Sequence, residues 1–265
     1  MEATHFLQQS PLAFILVAVT GLSIGSFLNV CIYRLPNKSK SILSRSSCPE
    51  CFQPIAWYDN IPVLSFILLK GRCRKCGANI SWQYPVVEMV GALLLFAAFF
   101  KFGFNLNGLI AAVLFEILLV IAITDIQHML ILNKTVLAVG LVALAKIIFT
   151  PYPNSVDAII GLFVGGGLLF IFDVAGRIIF KKDSMGPGDI KLAAALGLYF
   201  GGNEIGIVLI MAVILTSFTG VLGIISGYLK RSSYLPFGTF IALAVIIFSL
   251  FSADITAFFK AVYGL

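Results

Sequence analysis

Residues 107–125, NGLIAAVLFEILLVIAITD, run through eighteen positions that hold one acid, Glu116, and then stop at an aspartate. An apolar run of this length matches the roughly 20 residues needed to cross a bilayer. A carboxylate close to hydrocarbon costs roughly 2.5–3.5 kcal/mol on the lenient insertion scale, so Asp125 is a functional candidate by default. A second aspartate, Asp189, stands in the same relation to apolar sequence further along.

Working outward, the same character fills the chain. Of 265 residues, 60% are hydrophobic and 11% charged, and mean hydropathy is +1.03. A soluble domain carries about 25% charged residues, so the expected fold class is an all-α polytopic membrane protein. Candidate spans are 11–33, 85–103, 107–124, 134–150, 157–180, a short 190–200, 204–229 and 235–259, about eight transmembrane helices. The domain reading is 1–33 as first helix, 34–84 as a small cytoplasmic zinc-binding loop domain, and 85–265 as the main membrane domain.

Charge sets the orientation. With the N-terminus outside, fifteen of the 18 Lys and Arg, from Arg34 to Arg231, fall on the inner side, and only Lys101, Lys146 and Lys260 fall outside. That split argues for keeping the short sixth span, and it puts both termini outside and both aspartates on the cytoplasmic side. The first span has no basic segment ahead of it and is followed by cations, as an anchor is and a cleaved signal is not. The net charge of +6 sits in loops between spans, which gives no support to nucleic-acid binding. No lipidation motif, internal repeat or low-complexity tract is evident.

The polar segment 34–84 holds Cys48-Pro49-Glu50-Cys51 and Cys73-Arg74-Lys75-Cys76-Gly77, two CxxC pairs with 21 residues between them. Each pair can offer two thiolates from one tight turn, and two turns complete a closed tetrahedral zinc site. Disulfides or a redox dithiol are the alternatives, disfavoured by a cytoplasmic location. Cys31 lies inside the first span and reads as a small buried apolar residue.

Peptide hydrolysis needs a water made nucleophilic and a carbonyl polarised as it becomes tetrahedral. Two carboxylates sharing one proton supply a base and an acid. Gly186 and Gly188, flanking Pro187 before Asp189, would free the backbone and admit another chain closely. The bland alternatives are an N-cap for Asp189 and a hydrated interfacial acid for Asp125. His128 and Lys191 are left outside the catalytic set. Glu88 and Glu116 require partners, Glu88 being either a structural acceptor or a contact for a basic ligand, and Asp173 is expected to pair with Arg177. Gly161, Gly165, Gly166 and Gly167 could form a face for a substrate helix or for packing within the protein.

The segments GSFLNVCIYRLP (25–36), CPECFQPIAWYDNIPVLSFILLKGRCRKCGANISWQYPVVE (48–88), ITDIQHMLI (123–131), GPGDIKL (186–192) and LPFGTFIAL (235–243) occur in this order. Together they resemble the prepilin peptidases, or type IV leader peptidases, of bacterial pilus and type II secretion systems, GxGD-type membrane aspartic peptidases. The resemblance implies catalytic roles for Asp125 and Asp189, motif support from Gly186 and Gly188, and zinc on Cys48, Cys51, Cys73 and Cys76. It further implies a multi-pass protein of the bacterial inner membrane that cuts the basic leader from prepilins and pseudopilins at the cytoplasmic face. Many members also methylate the new N-terminus with S-adenosylmethionine, an activity for which Asn29 and Arg34 are the first positions to test. The chain departs from the family at ILN (131–133), where Leu132 occupies a position often held by proline. A proton-coupled transporter using the two acids as a relay, and an adaptor docking through the zinc module, are the competing classes.

Overall fold

The computed structural model describes residues 11–37, 41, 44–181, 185–230 and 233–263; Lys38, Lys40, Lys182 and Arg231, four of the cations used for orientation, lie outside them. The described chain is helical, without strands: α1 Pro11–Asn37, a 3-10 turn Trp57–Asn60, α2 Leu64–Leu68, α3 Gln83–Phe102, α4 Leu106–His128, α5 Asn133–Phe149, α6 Ser155–Phe180, α7 Pro187–Phe200, α8 Gly202–Ile225 and α9 Phe237–Tyr263. Among the described residues, six helices are long and apolar enough to cross a membrane. The expected fourth and sixth spans are both present as helices, but α5 has 17 residues and α7 only 14. At 1.5 Å per residue, α7 extends about 21 Å, against the roughly 30 Å of a hydrocarbon core. Of the about eight crossings expected, six are matched by helices of spanning length among the described residues, while α5 and α7 form as helices but fall short of that length.

The chain folds as two compact units, Met1–Glu116 and Ile117–Leu265. In the first, α1 packs on α3 through glycines four residues apart. A Cβ at Gly21 would stand 2.6 Å from the Ala92 Cα, and one at Gly25 would stand 2.5 Å from the Glu88 Cα, so only hydrogen fits at either crossing point. Such small-residue contacts are how helices associate where no hydrophobic force separates protein from lipid.

The second unit is built around α7, whose Leu192 and Leu196 are fully buried along with Ile205 of α8 and Ile241 of α9. A Cβ at Gly161 of α6 would collide with the Gly197 carbonyl of α7, and one at Gly197 with the Gly161 carbonyl; Gly165 meets the Ala193 carbonyl in the same way, and Gly166 the Ala194 side chain. The glycine face of the fifth span is therefore consumed by packing inside the unit, and Gly167 alone has open space around it. Asn154 caps α6, its side chain accepting from the Asp157 amide at 2.8 Å. Pro187 opens α7 at a position where its missing N–H costs nothing.

Candidate active site and metal site

Asp125 occupies the last turn of α4 and is buried. Its Oδ2 accepts the Thr239 backbone N–H at 3.0 Å and lies 3.4 Å from the Thr239 hydroxyl. That hydroxyl has one proton and a closer acceptor, the Ala122 carbonyl at 3.0 Å. The amide therefore holds the carboxylate, while the hydroxyl locks Thr239 to α4. An amide in the first turn of a helix has no partner within its own helix, so the opening turn of α9 supplies a donor that Asp125 completes.

Asp189 is the third residue of α7, and Gly186 is the capping residue. The N-cap alternative for Asp189 is thereby removed: the residue lies three places past the cap, inside the first turn. Its Oδ1 is buried without a hydrogen-bond partner. A buried carboxylate oxygen left unmatched is costly in free energy and is the kind of group that a substrate or water completes. A Cβ at Gly186 would stand 3.0 Å from the Asp189 Oδ2.

One residue links the two acids. A Cβ at Gly188 would stand 2.8 Å from the Ile131 Cβ, and a Cβ at Gly238 would stand 2.5 Å from the Ile131 Cδ1 and 3.0 Å from the Asp125 Oδ2. Ile131 thus lies between the glycine beside Asp189 and the glycine beside Asp125, and both glycines are needed for it to fit. The two carboxylates are close enough for the charge on Asp125 to act on Asp189. Sequence alone assigns no role to Gly238, Thr239 or Ile131. The usable signal was Pro236-Phe237-Gly238 at the head of an apolar run. At the departure from the family pattern, Leu132 takes φ −77°, within the range that proline would impose, so the turn keeps its geometry.

The other weighed residues find employment elsewhere. Lys191 donates to the Asn133 side chain at 3.0 Å, and His128 is exposed. Asp173 pairs with Arg177 at 2.8 Å and accepts from the Met185 amide at 3.2 Å. Glu88 accepts from the Val63 amide at 2.7 Å, a structural bond at the head of α2. Both carboxylate oxygens of Glu116 are buried without a partner.

In the first unit, Cys48, Cys51, Cys73 and Cys76 have sulfurs that all lie within 4.8 Å of one another, Cys48 and Cys76 at 3.9 Å, and could hold a metal ion. The two CxxC turns are built alike. The Cys48 and Cys73 amides donate to the Gln53 and Ala78 carbonyls, and the Phe52 and Gly77 amides donate back to the Cys48 and Cys73 carbonyls, all between 2.8 and 3.0 Å. The expected turn at Gly77 is left-handed, φ +74°; its counterpart, Phe52, takes φ +59° despite its side chain. Hydrogen bonds from the Cys76 and Lys75 amides bring the Cys73 thiol down to about 7. Although the Ala78 amide acts to lower it, desolvation and the neighbouring thiols push Cys76 up to about 12. The cluster thus holds protons that a metal would displace.

Residues 19–102 match the family described as the bacterial peptidase A24 N-terminal domain, and residues 112–225 match the type IV leader peptidase family. Among curated proteins, the chain is 33% identical over 242 residues to a prepilin leader peptidase/N-methyltransferase of Bacillus subtilis (strain 168), covering 91% of this chain and 95% of that one. A protein of the same name from Aeromonas hydrophila is 33% identical over 283 residues, covering 98% and 97%. One from Myxococcus xanthus (strain DK1622) is 36% identical over 213 residues, covering 80% of this chain and 63% of that one. No solved structure matches. With both parts of the chain matched and relatives aligned end to end, the chain belongs to the type IV leader peptidase family.

Proposed function

We propose that the protein is a membrane-embedded aspartic endopeptidase that removes the basic leader from type IV prepilins and pseudopilins at the cytoplasmic face of the bacterial inner membrane, and then methylates the new N-terminus. The observation that carries the peptidase is the pair in the second unit: Asp125 held by a donor, and Asp189 with a buried oxygen left open. In the cleavage, one carboxylate takes a proton from water as the water oxygen bonds to the scissile carbonyl carbon. The other carboxyl donates its proton toward the carbonyl oxygen. Collapse of the tetrahedral intermediate breaks the C–N bond: the carboxyl that took the water proton gives it to the departing nitrogen, and a hydroxyl of the intermediate returns its proton to the other carboxylate, which restores the shared one. The bond held by the Thr239 amide favours Asp125 as the acceptor of the water proton.

The substrate has a cationic leader followed by an apolar helix, so its scissile bond lies where headgroups meet hydrocarbon. Asp125 ends a spanning helix and Asp189 begins a short one, which supports a site at a membrane edge over the mid-span placement of a transporter relay. In this reading all eight long helices serve the membrane domain, α7 as a short element buried among the others. Residues 34–84 form the cytoplasmic module and 85–265 the peptidase portion.

The four thiols suit zinc: a tetrahedral ion with Zn–S of about 2.3 Å places sulfurs about 3.8 Å apart, close to the observed 3.9 Å. Cys48, Cys51, Cys73 and Cys76 would hold it as a structural ion. For methylation, S-adenosylmethionine supplies an electrophilic methyl group to the new amine. Arg34 and Asn29 are engaged by the chain itself: Arg34 donates to the Ser41, Ser44 and Arg45 carbonyls, and Asn29 to the Tyr84 carbonyl at 3.1 Å. We assign the methyl donor to neither. Purified protein reconstituted with a prepilin should cleave it, and Asp125→Asn and Asp189→Asn should not. Mass spectrometry of the product should show one added methyl group. Cleavage that survives in both variants refutes the peptidase.

A further inference from the structure

The module between α1 and α3 carries a surface that neither the metal nor the peptidase explains. The short helix α2 buries Ser65, whose hydroxyl donates to the Ile61 carbonyl at 2.7 Å, with the Tyr58 carbonyl 3.2 Å away. Its other side presents Leu64, Ile67 and Leu68, at helical spacing of three and four, with Ile67 63% and Leu68 69% exposed. Three large aliphatic side chains on five residues of helix form an apolar patch that water disfavours.

The level of this patch is fixed by contacts to a spanning helix. The Val63 amide, which opens α2, bonds the carboxylate of Glu88, and Glu88 lies in the second turn of α3. Trp82, immediately before α3, is 71% exposed, and its ring lies 4.7 Å from that of Phe66 in α2. Tryptophan at the mouth of a span marks the headgroup layer. The helix is therefore pinned at the depth where α3 enters the bilayer. Directly after it come Lys70, Arg72 and Lys75, all exposed. The nearby Asp59 is already taken by Arg74 at 2.7 Å.

We propose that this module rests on the membrane: α2 lays Leu64, Ile67 and Leu68 into the interfacial layer, and Lys70, Arg72 and Lys75 bind anionic phospholipid headgroups. Apolar side chains below and cations beside them are the chemistry of an interfacial helix, and anionic lipid attracts such cations with about fivefold in affinity for each one. The occupant of the patch is lipid. The metal knuckle then becomes a rigid block that holds the short helix flat, which five residues could not do alone. The inference rests on the membrane spans and not on the aspartate chemistry.

The chain has two tryptophans, Trp57 and Trp82, so replacing both with phenylalanine leaves a dark background. In that background Ile67→Trp puts one reporter on the patch, to be read in full-length protein in nanodiscs. Lipids brominated on the upper acyl chain should quench it, and aqueous iodide should not. Adding Leu64→Asp and Leu68→Asp should exchange the two results, with bound metal retained as the sign that the module is folded. Lys70→Gln with Arg72→Gln and Lys75→Gln should remove the gain in quenching that anionic lipid gives over zwitterionic lipid, and added salt should do the same to the parent. Quenching by iodide alone overturns the proposal by placing the patch in water. Shielding from both quenchers overturns it equally, because protein, a second copy or another part of this chain, then covers the patch.

Discussion

The four-cysteine knuckle and the two-aspartate site are built by opposite means. The knuckle is local: its two turns repeat the same hydrogen bonds 25 residues apart, and all four clustered sulfurs come from one loop segment. The aspartate site is assembled from three helices, with Asp125 bonded to a residue 114 positions away in sequence. A metal site made of short turns can be encoded by spacing, because each turn positions its own ligands. A pair of acids on separate helices depends on how closely those helices approach, and here that approach rests on hydrogen atoms at Gly188 and Gly238.

The comparison is tested hardest by removing chemistry from each side. Asp125→Asn or Asp189→Asn should reduce prepilin cleavage by about 10³-fold or more, leaving bound metal unchanged, as measured by product formation and metal analysis. Cys48→Ser should do the reverse, lowering metal affinity by more than about 100-fold and opening the 44–81 segment to protease. Metal binding should also weaken as pH falls, since thiols with protons must give them up, and Cys76, pushed up to about 12, parts with its own only to the metal.

Packing is the next smaller effect. Gly238→Ala should slow cleavage by about tenfold through the clash with Ile131, an overpacking cost of about 1–3 kcal/mol. Ile131→Val removes the Cδ1 that stands 2.5 Å from the new methyl, so the double variant should recover part of the loss. A double variant no better than Gly238→Ala would mean that the Asp125 contact, and not Ile131, makes the glycine necessary. Thr239→Val keeps the amide and loses the hydroxyl bond to Ala122; a cost of about 1 kcal/mol should appear in kcat, with Thr239→Ser restoring it.

The smallest effect belongs to Asp59. The bond from Arg74 holds its carboxyl below the ordinary carboxylate range. A group with a lowered native value binds fewer protons folded than unfolded, so its contribution is present above the ordinary aspartate value and is lost as pH falls through the native one. The Arg74 side of the pair is open to water, so the change should be slight and screened by salt. Asp59→Asn should remove that step from an acid titration of the knuckle and leave cleavage at neutral pH unaltered.

Helix positions were legible in the sequence because bilayer thickness demands long apolar runs, and the tetracysteine cluster was legible because its spacing is local. Even the candidate aspartates stood out, as acids where hydrocarbon penalises them. What the sequence did not disclose was employment. Glycines at 161, 165 and 166, open to reading as a face for substrate, are filled by α7. Arg34, a candidate for methyl transfer, is turned onto the loop carbonyls. The α7 region, counted as a span, is only 14 residues long.

The amino-acid sequence by itself determined a many-helix membrane protein with a cysteine knuckle and two acids at the ends of apolar runs, since each follows from local composition or spacing. Tertiary structure alone decided that Thr239 holds Asp125, that Ile131 sits between the two glycines, and that Asp189 keeps an open oxygen. The physical reason is that contacts between distant segments depend on helix approach and side-chain volume, and neither leaves a periodic trace along the chain.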